Sequence, residues 1–540
     1  MASLKPRHCN GKILLNQLTK ELFLNNIVES REAQGEPIDF DFIKARCKIL
    51  SKNDRIKENS KGILYWMYRD CRVQDNWAMI FAHRMATKQK LPLFVCYSIK
   101  NAQNQYPTER HFTFLIEGLK IVQKECKKLN IAFHLLNSSP KDLATLIATN
   151  NIGGVVCDFS PLKHPRKLQE TLLENLPDDV PLVQVDAHNI VPVWVASDKQ
   201  EGMAKFLRPK INKHLDEFLT GFPVIPPHRY TGKLDTTNEI DLSDALKYFK
   251  PKYEVPYVQW GEGPGFEGAL SMLHHFIINN LEYYGISSND PAKDNTSKLS
   301  PWLNFGHISA QRCALEVKSL GSLHKQQCDK YLEELIVRRE LSDNYCYYNS
   351  DYDNINGAAK WAKETLELHS KDKRTWVYSK EQLERANTHD EMWNCAQLQA
   401  QRIGKIHGYM RMYWCKKVLE WTKSPDEAIE YALWLNDTFC LDGTDPNGYV
   451  GVMWSICGVH DQGWKEREIF GKIRYMVDYS LRRKFDMDDY CASFNRKIAV
   501  SGKPKARGGR ASLAKRSIHF LYRPCLMSVC TVNSSSIFKY

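Results

Sequence analysis

Between Gly62 and Asn189, short apolar runs alternate with longer helical patterns, and no other feature constrains the fold as much. GILYWMY, LPLFVCYSI, IAFHLLN, GGVVCDF and PLVQVDAHN read as strands. The stretches between them read as helices. One begins near Asp75 as its N-cap, and others cover about 109–129, 140–150 and 164–176. Strands separated by helices cannot close hairpins, so the alternation predicts a parallel, doubly wound sheet with right-handed crossovers. Residues 1–60 are polar with weak periodicity and predict a partly ordered leader. Residues 192–262 lose the rhythm and are rich in proline, as a connector would be. From Phe266 to about 484 helical periodicity dominates. The expectation is an α/β N-terminal domain over 61–191 and a connector over 192–262. An all-α C-terminal domain over 263–485 and a basic tail over 486–540 without packed structure complete it.

Composition sets outer limits. At 540 residues the chain exceeds one ordinary core, and its 43% hydrophobic content is ordinary for a globular protein. No apolar run is long enough to span a bilayer, and the N-terminus MASLKPRHCNGKILL lacks a secretory pattern. An intracellular protein without membrane contact is expected. The 16 cysteines are scattered with no Cys-x-x-Cys, which predicts buried, reduced thiols. The net charge of +12 is uneven: Arg496–Tyr540 holds ten Lys/Arg and no Asp/Glu, and removing those ten from 75 leaves 65 basic against 63 acidic residues. Nucleic-acid binding by the body therefore needs a local basic patch.

Several motifs carry chemistry or mimic it. Gly263-Pro-Gly265-Phe-Glu-Gly268 matches a dinucleotide fingerprint, but a proline-rich loop precedes it, so it reads as a glycine-rich helix entry. No GxxxxGK[ST], HExxH or paired-cysteine cluster occurs, so neither a phosphate loop nor a metal site is expected. Thr296–Ser300 precedes a helix starting near Pro301, where hydroxyls and free N–H groups suit an anion or an ordinary cap. Glu334 and Arg338 stand at i and i+4 of a helical pattern, hence on one face, as a solvated ion pair or as buried, purposeful charges. Read as one helix, 397–421 places His407, Arg411, Trp414, Val418 and Trp421 in a stripe, with Lys416 and Glu420 on the watery side. Arg411 in that stripe needs an anion or an acid from LDGTDPNG. Tryptophans 393, 414, 421, 434, 454 and 464, with Trp376 just before them, are more indole than a core needs. Indole suits stacking on flat rings and the passage of single electrons. Trp454, Trp464 and Arg474 mix aromatic and basic groups as single-strand binding sites do.

Taken in order over about 60–485, these residues resemble a family. WMYRDCRVQDNWAMIFA, TSKLSPWLNFGHIS, ELIVRREL, GKIHGYMRMYW, LND, DGTDPNGYVG and HDQGWKERE look like the photolyase/cryptochrome flavoproteins. More closely, they resemble the class II cyclobutane pyrimidine dimer DNA photolyases found in animals. The resemblance implies reduced, anionic FAD folded into a U inside the helical domain. It assigns Tyr284, Thr296, Ser297, Lys298, Leu299, Ser300 and Arg338 to that cofactor, with Arg411 and Asp442 paired beside the ring system and Asn436 facing N5. It implies that Glu334 hydrogen-bonds the flipped-out dimer, that Trp454 stacks on it, and that Gln462, Trp464 and Arg474 grip UV-damaged DNA. Relatives carry Arg two residues before that last tryptophan, where this chain has Gln462. Trp414, Trp393 and Trp421 match electron-relay positions. The implied activity is light-driven dimer repair by a monomer, and the substrate implies the nucleus as its location. The other reading is a cryptochrome-like signalling flavoprotein, which the retained Glu334 and Trp454 argue against. A second antenna chromophore, deazaflavin or folate, belongs to some members and no motif here assigns it.

Overall fold

The computed structural model describes residues 17–496. The apolar runs become strands of a sheet: β1 (Cys47–Ile49), β2 (Gly62–Met67), β3 (Leu93–Ser98), β4 (Ala132–Leu136), β5 (Ile152–Asp158) and β6 (Leu182–Val185), in the order β1-β6-β5-β2-β3-β4. All neighbours pair in parallel except β1, which runs antiparallel to β6. Helices cover both faces, so β2, β3 and β5 are buried along their whole length and read as unbroken apolar runs. The helices of eight or more residues in this half are α1 (Lys20–Glu32), α2 (Trp77–Gln89), α3 (Glu109–Lys128), α4 (Pro140–Thr149), α5 (Lys163–Asn175) and α6 (Ala204–Phe218).

The remaining longer helices are α7 (Gly265–His275), α8 (Ala310–Ser319), α9 (Lys325–Leu332), α10 (Arg339–Tyr348), α11 (Lys360–Leu368), α12 (Glu391–Ile403), α13 (Gly408–Trp421), α14 (Pro425–Phe439) and α15 (Pro446–Cys457). A π-helical segment, Glu333–Arg338, joins α9 to α10 without a break in direction. The GxGxxG match is a helix entry as expected: Gly265 has φ +85°, and a Cβ on Gly268 would lie 2.0 Å from the carbonyl oxygen of Gly263.

Strand order reverses between β2 and β5, the place where open α/β sheets take ligands. Here protein fills it. The Asp158 carboxylate accepts the backbone N–H groups of Tyr68, Arg69 and Asp70 at 2.9, 2.8 and 3.0 Å. Arg69 then reaches Asp343 on α10 through two bonds of 3.1 and 3.2 Å. The usual binding edge of the sheet is thus a dock for the helical half.

Several expectations need correction. The leader, expected to be partly ordered, holds α1, which buries Phe23 and Ile27, and an unforeseen strand, β1, which joins the sheet at its edge. Three residues with half-exposed side chains leave no periodic signal, which is why that strand is invisible in the sequence. The connector holds α6, whose Leu207, Ile211 and Phe218 are buried. Asn76, not Asp75, caps α2, accepting from the backbone of Ala78 and Met79. The 397–421 stretch is two helices, because Gly404 ends α12 at φ +81° and His407 caps α13. Within the expected tail, Met487–Ala492 is helical and buries Tyr490 and Cys491. Residues 497–540 lie outside the described residues. The described cysteines are all unpaired thiols, no described helix is long and apolar enough to cross a membrane, and no metal-binding cluster occurs among the described residues.

Candidate active site

The break at Gly404 builds the first half of the site. It turns the chain so that Lys405 and, one turn into α13, Arg411 both reach Asp442 in the loop between α14 and α15. Arg411 Nη2 donates to Asp442 Oδ1 at 2.7 Å, Lys405 Nζ donates to Oδ2 at 2.7 Å, and Ser300 Oγ donates to Oδ2 at 2.7 Å. Burial would raise the Asp442 pKa, but Arg411 and Lys405 outweigh it and hold the carboxyl well below the usual range. Burial alone would lower Arg411, and Asp442 more than reverses that. The stripe arginine therefore has the acidic partner it required. Lys405 was not anticipated; its only sequence signal is its place beside Gly404.

Ser300 belongs to the expected anion segment. Lys298 adopts left-handed φ +56°, turning Thr296–Leu299 into the short helix Ser300–Asn304 with Pro301 in its first turn. Five residues make little macrodipole, so hydroxyls and N–H groups carry any anion affinity there. Tyr284, from the helix Leu281–Ser287, stands near the same wall with Lys330 Nζ 5.5 Å from its ring centre. The Glu334 charge acts on Tyr284, which links this wall to the second half of the site.

Asn436 is buried on α14. Its Nδ2 donates to Asp437 Oδ1 at 3.0 Å and to the carbonyl of Gly443 at 3.2 Å, which uses both hydrogens. Its Oδ1 is buried without a partner among the described residues, as is Arg411 Nε. Gly408 and Gly451 each face open space where a Cβ would stand. Asp437, pushed up to about 7 by burial, lies behind the amide and lines a cavity of about 260 Å³ walled by Tyr253, Tyr352, Trp434 and Tyr449.

The second half is built on α15 and the π-segment. On α15 most side chains are buried, but Asn447, Tyr449, Gly451 and Trp454 are not; Asn447, Gly451 and Trp454, at i, i+4 and i+7, form one open stripe. The π-segment changes the expected pairing of Glu334. With i→i+5 closure, Arg338 lies over Glu333, at 3.2 Å, and not over Glu334. Glu333 also takes both arms of Arg208 at 2.9 and 2.7 Å. Among the described residues Glu334 has no ion pair. It is exposed at its surface, and partial burial of its carboxyl raises its pKa despite Arg338 and Lys330. Arg338 is exposed and its charge acts on His460, three residues past the end of α15.

Past α15 the chain presents an exposed hairpin. Trp464 N–H donates to the Lys472 carbonyl at 2.8 Å, and Trp464 itself is 45% exposed. Arg474 stacks 4.1 Å over Trp464 and 5.7 Å from the Trp454 ring, and Asp461 holds it at 2.8 and 3.2 Å. Gln462 is exposed at the same tip. Lys416, expected in water, is fully buried under Trp454. Glu420 does face outward, paired with Lys417 at 2.7 Å.

The remaining tryptophans form a file of rings. Trp414 and Trp393 are parallel within 5° at 6.0 Å, and Trp393 lies 5.6 Å from Trp421. Trp414 does not reach Trp421 along its own helix; the path crosses to α12 and returns. Beyond Trp421 stand His389 at 5.2 Å and Tyr378 at 5.4 Å, and His389 stacks at 4.6 Å on Trp376, which is 48% exposed.

Known proteins are similar to this chain. Residues 63–228 match the DNA photolyase family. The deoxyribodipyrimidine photo-lyase of Potorous tridactylus is 49% identical over 88% of this chain and 89% of its own. That of Arabidopsis thaliana is 42% identical over 85% and 94%. Among solved structures, a class III photolyase from Agrobacterium tumefaciens superposes with a TM-score of 0.61 at 18% identity, covering 81% of this chain and 86% of its own. Identity at that level across nearly the whole length places the chain in the DNA photolyase family.

Proposed function

We propose that this protein repairs cyclobutane pyrimidine dimers in UV-damaged DNA, using light and a reduced FAD. Two features support the reading, which sets them on two walls of one recess: a buried amide oxygen of Asn436 and guanidinium nitrogen of Arg411 without partners among the described residues, and Glu334 with the Asn447, Gly451 and Trp454 face of α15. The residues fit a flavin. Arg411, held ionised by Asp442, gives a fixed positive charge for an anionic ring, and Ser300 and Thr296–Leu299 supply donors for the phosphate side. Asn436 has both amide hydrogens engaged, so it offers the site an acceptor suited to a protonated ring nitrogen. When bound and reduced, the flavin supplies one electron on excitation by blue light and takes it back.

The chain's own residues do the rest. A dimer must leave the duplex to enter the recess, at a cost of roughly a few kcal/mol that is least for damaged bases; photolyases are a named example of that principle. Trp454 stacks on the everted pyrimidines. Glu334, unpaired and with a raised pKa, holds a proton more readily than an ordinary carboxyl and can donate a hydrogen bond to a carbonyl gaining negative charge. Trp464 and Arg474 occupy the gap in the duplex and meet phosphates. A flat antenna chromophore, deazaflavin or folate, has a candidate seat in the aromatic cavity beside Asp437. The protein acts as a monomer on DNA in the nucleus.

The test is to incubate FAD-loaded, reduced protein with a thymine-dimer oligonucleotide in blue light and in darkness. Light-dependent recovery of thymines is expected. Glu334→Ala should lower the yield per photon by roughly tenfold or more with flavin retained, the scale of losing one charge-stabilising group. Tight flavin binding without repair by the unmodified protein would favour a signalling role.

A further inference from the structure

Lys416, on α13, lies beneath the Trp454 indole. Its side chain is fully buried, its Nζ donates to the Ser455 carbonyl at 2.9 Å, and it lies 4.8 Å from the centre of the Trp454 ring. A buried ammonium with a single hydrogen-bonded carbonyl is costly, so the fold must gain something from it. An apolar side chain of the same length would fill the space without that cost. The indole face is what distinguishes the position: a desolvated cation over an indole is held more strongly than an exposed one. Arg474 approaches the same indole at 5.7 Å but is tied to Asp461 and partly exposed, so its charge is screened by water and by its partner.

We propose that Lys416 is a positioning residue for the substrate side of the site: its ammonium fixes the Trp454 indole and sets a positive charge behind the ring on which the dimer stacks. This rests on the reading of Trp454 as the stacking residue. The charge would favour the dimer at the moment it carries an extra electron, because the field acts through a ring and a dry wall and not through solvent. Burial brings the Lys416 pKa down to about 7. The groups acting on it are Asp461 and Arg474 from the segment after α15, Cys457 from the last turn of α15, and Cys415 from its own helix. The ammonium is therefore present below neutral pH and lost above it.

The experiment labels the tryptophans of the FAD-loaded protein with 5-fluorotryptophan and assigns the Trp454 resonance by its loss in Trp454→Phe. In the unmodified protein that ¹⁹F resonance should shift with a midpoint near pH 7 and should not shift in Lys416→Met. Repair yield per absorbed photon, at saturating dimer oligonucleotide, should fall about threefold between pH 6 and 8.5 in the unmodified protein, the scale of one cation–π contact. It should be low and flat in Lys416→Met and restored without pH dependence in Lys416→Arg. A Trp454 resonance that does not move with pH in the unmodified protein overturns the proposal, whether or not Lys416→Met folds. So does an equal movement in Lys416→Met. If no variant repairs dimers, the resonance still decides the role of Lys416, and only the substrate reading falls.

Discussion

Asp75 has φ +55° and receives two arginines at once, Arg31 through bonds of 2.8 and 2.8 Å and Arg312 through bonds of 2.8 and 3.0 Å. Burial pushes its pKa up, yet the two guanidinium groups hold it far below the usual carboxylate range. Asparagine tolerates the same left-handed backbone, so Asp75→Asn removes the charge and little else. It should cost about 3–5 kcal/mol in urea unfolding, because buried Arg31 loses its counter-charge and Arg312 keeps only Glu316. A depressed folded pKa means the contribution is complete above about pH 4 and shrinks only below it, so the deficit should be constant from pH 5 to 8. Asp437 has the opposite sign. Its pKa is raised to about 7, so its contribution is complete below about pH 4 and is lost as pH rises toward 7. Thermal melts of Asp437→Asn should gain on the unmodified protein across that interval. Neither role was legible in the sequence. The aspartate before α2 reads as a cap because capping is local, whereas its true partners lie 44 and 237 residues away.

At the scale of elements, periodicity found five of the six strands and most helices but missed every change of pitch. The Glu334–Arg338 spacing assumes 3.6 residues per turn, and the π-segment moves Arg338 onto Glu333. Nothing in ELIVRREL announces that extra residue in the turn. The stripe on 397–421 failed in the same way at Gly404, although its functional part, Arg411 to Trp421, falls wholly on α13. That break has a consequence for electron passage. Because α12 and α13 form a hairpin, Trp393 stands between Trp414 and Trp421, and its Nε1–H donates to the Trp414 carbonyl at 2.9 Å. If these rings relay electrons, Trp393→Phe should abolish most light-driven reduction of oxidised flavin, followed by transient absorption. Trp376→Phe should affect only the late, solvent-reaching phase. Repair by protein reduced beforehand with dithionite should be unchanged in both, which separates the relay from catalysis.

Across the whole molecule, the two halves that the sequence separates at 192–262 are tied together by buried arginines. Arg110, in the first turn of α3, is fully buried. It donates to the carbonyls of Ala400 at 2.9 Å, Phe439 at 2.6 Å and Pro256 at 3.0 Å, and to that of Gln401. Ala400, Gln401 and Phe439 lie in the last turns of α12 and α14, where the dipole is negative and carbonyls run short of helical partners, although that of Ala400 also accepts the Gly404 N–H at 2.9 Å. Burial lowers the guanidinium only to about 10, so it stays charged at neutral pH. One side chain of the sheet half thus caps two helices just before Gly404 and Leu441, where the Leu441 N–H donates to the Gly404 carbonyl at 2.8 Å. Asp442, the partner of Arg411, follows directly. The sequence shows two halves with different rhythms; it does not show that the helix ends beside Asp442 in one are braced by an arginine of the other, 290 residues away. Arg110→Met keeps the length of the side chain and removes its donors. It should destabilise the protein by about 3 kcal/mol, the cost of leaving buried carbonyls unpaired. It should also release FAD faster during gel filtration while leaving Trp464 and the DNA hairpin unaltered, as judged by binding to undamaged oligonucleotide. Equal flavin retention in both proteins would mean that the brace stabilises the fold without holding the wall.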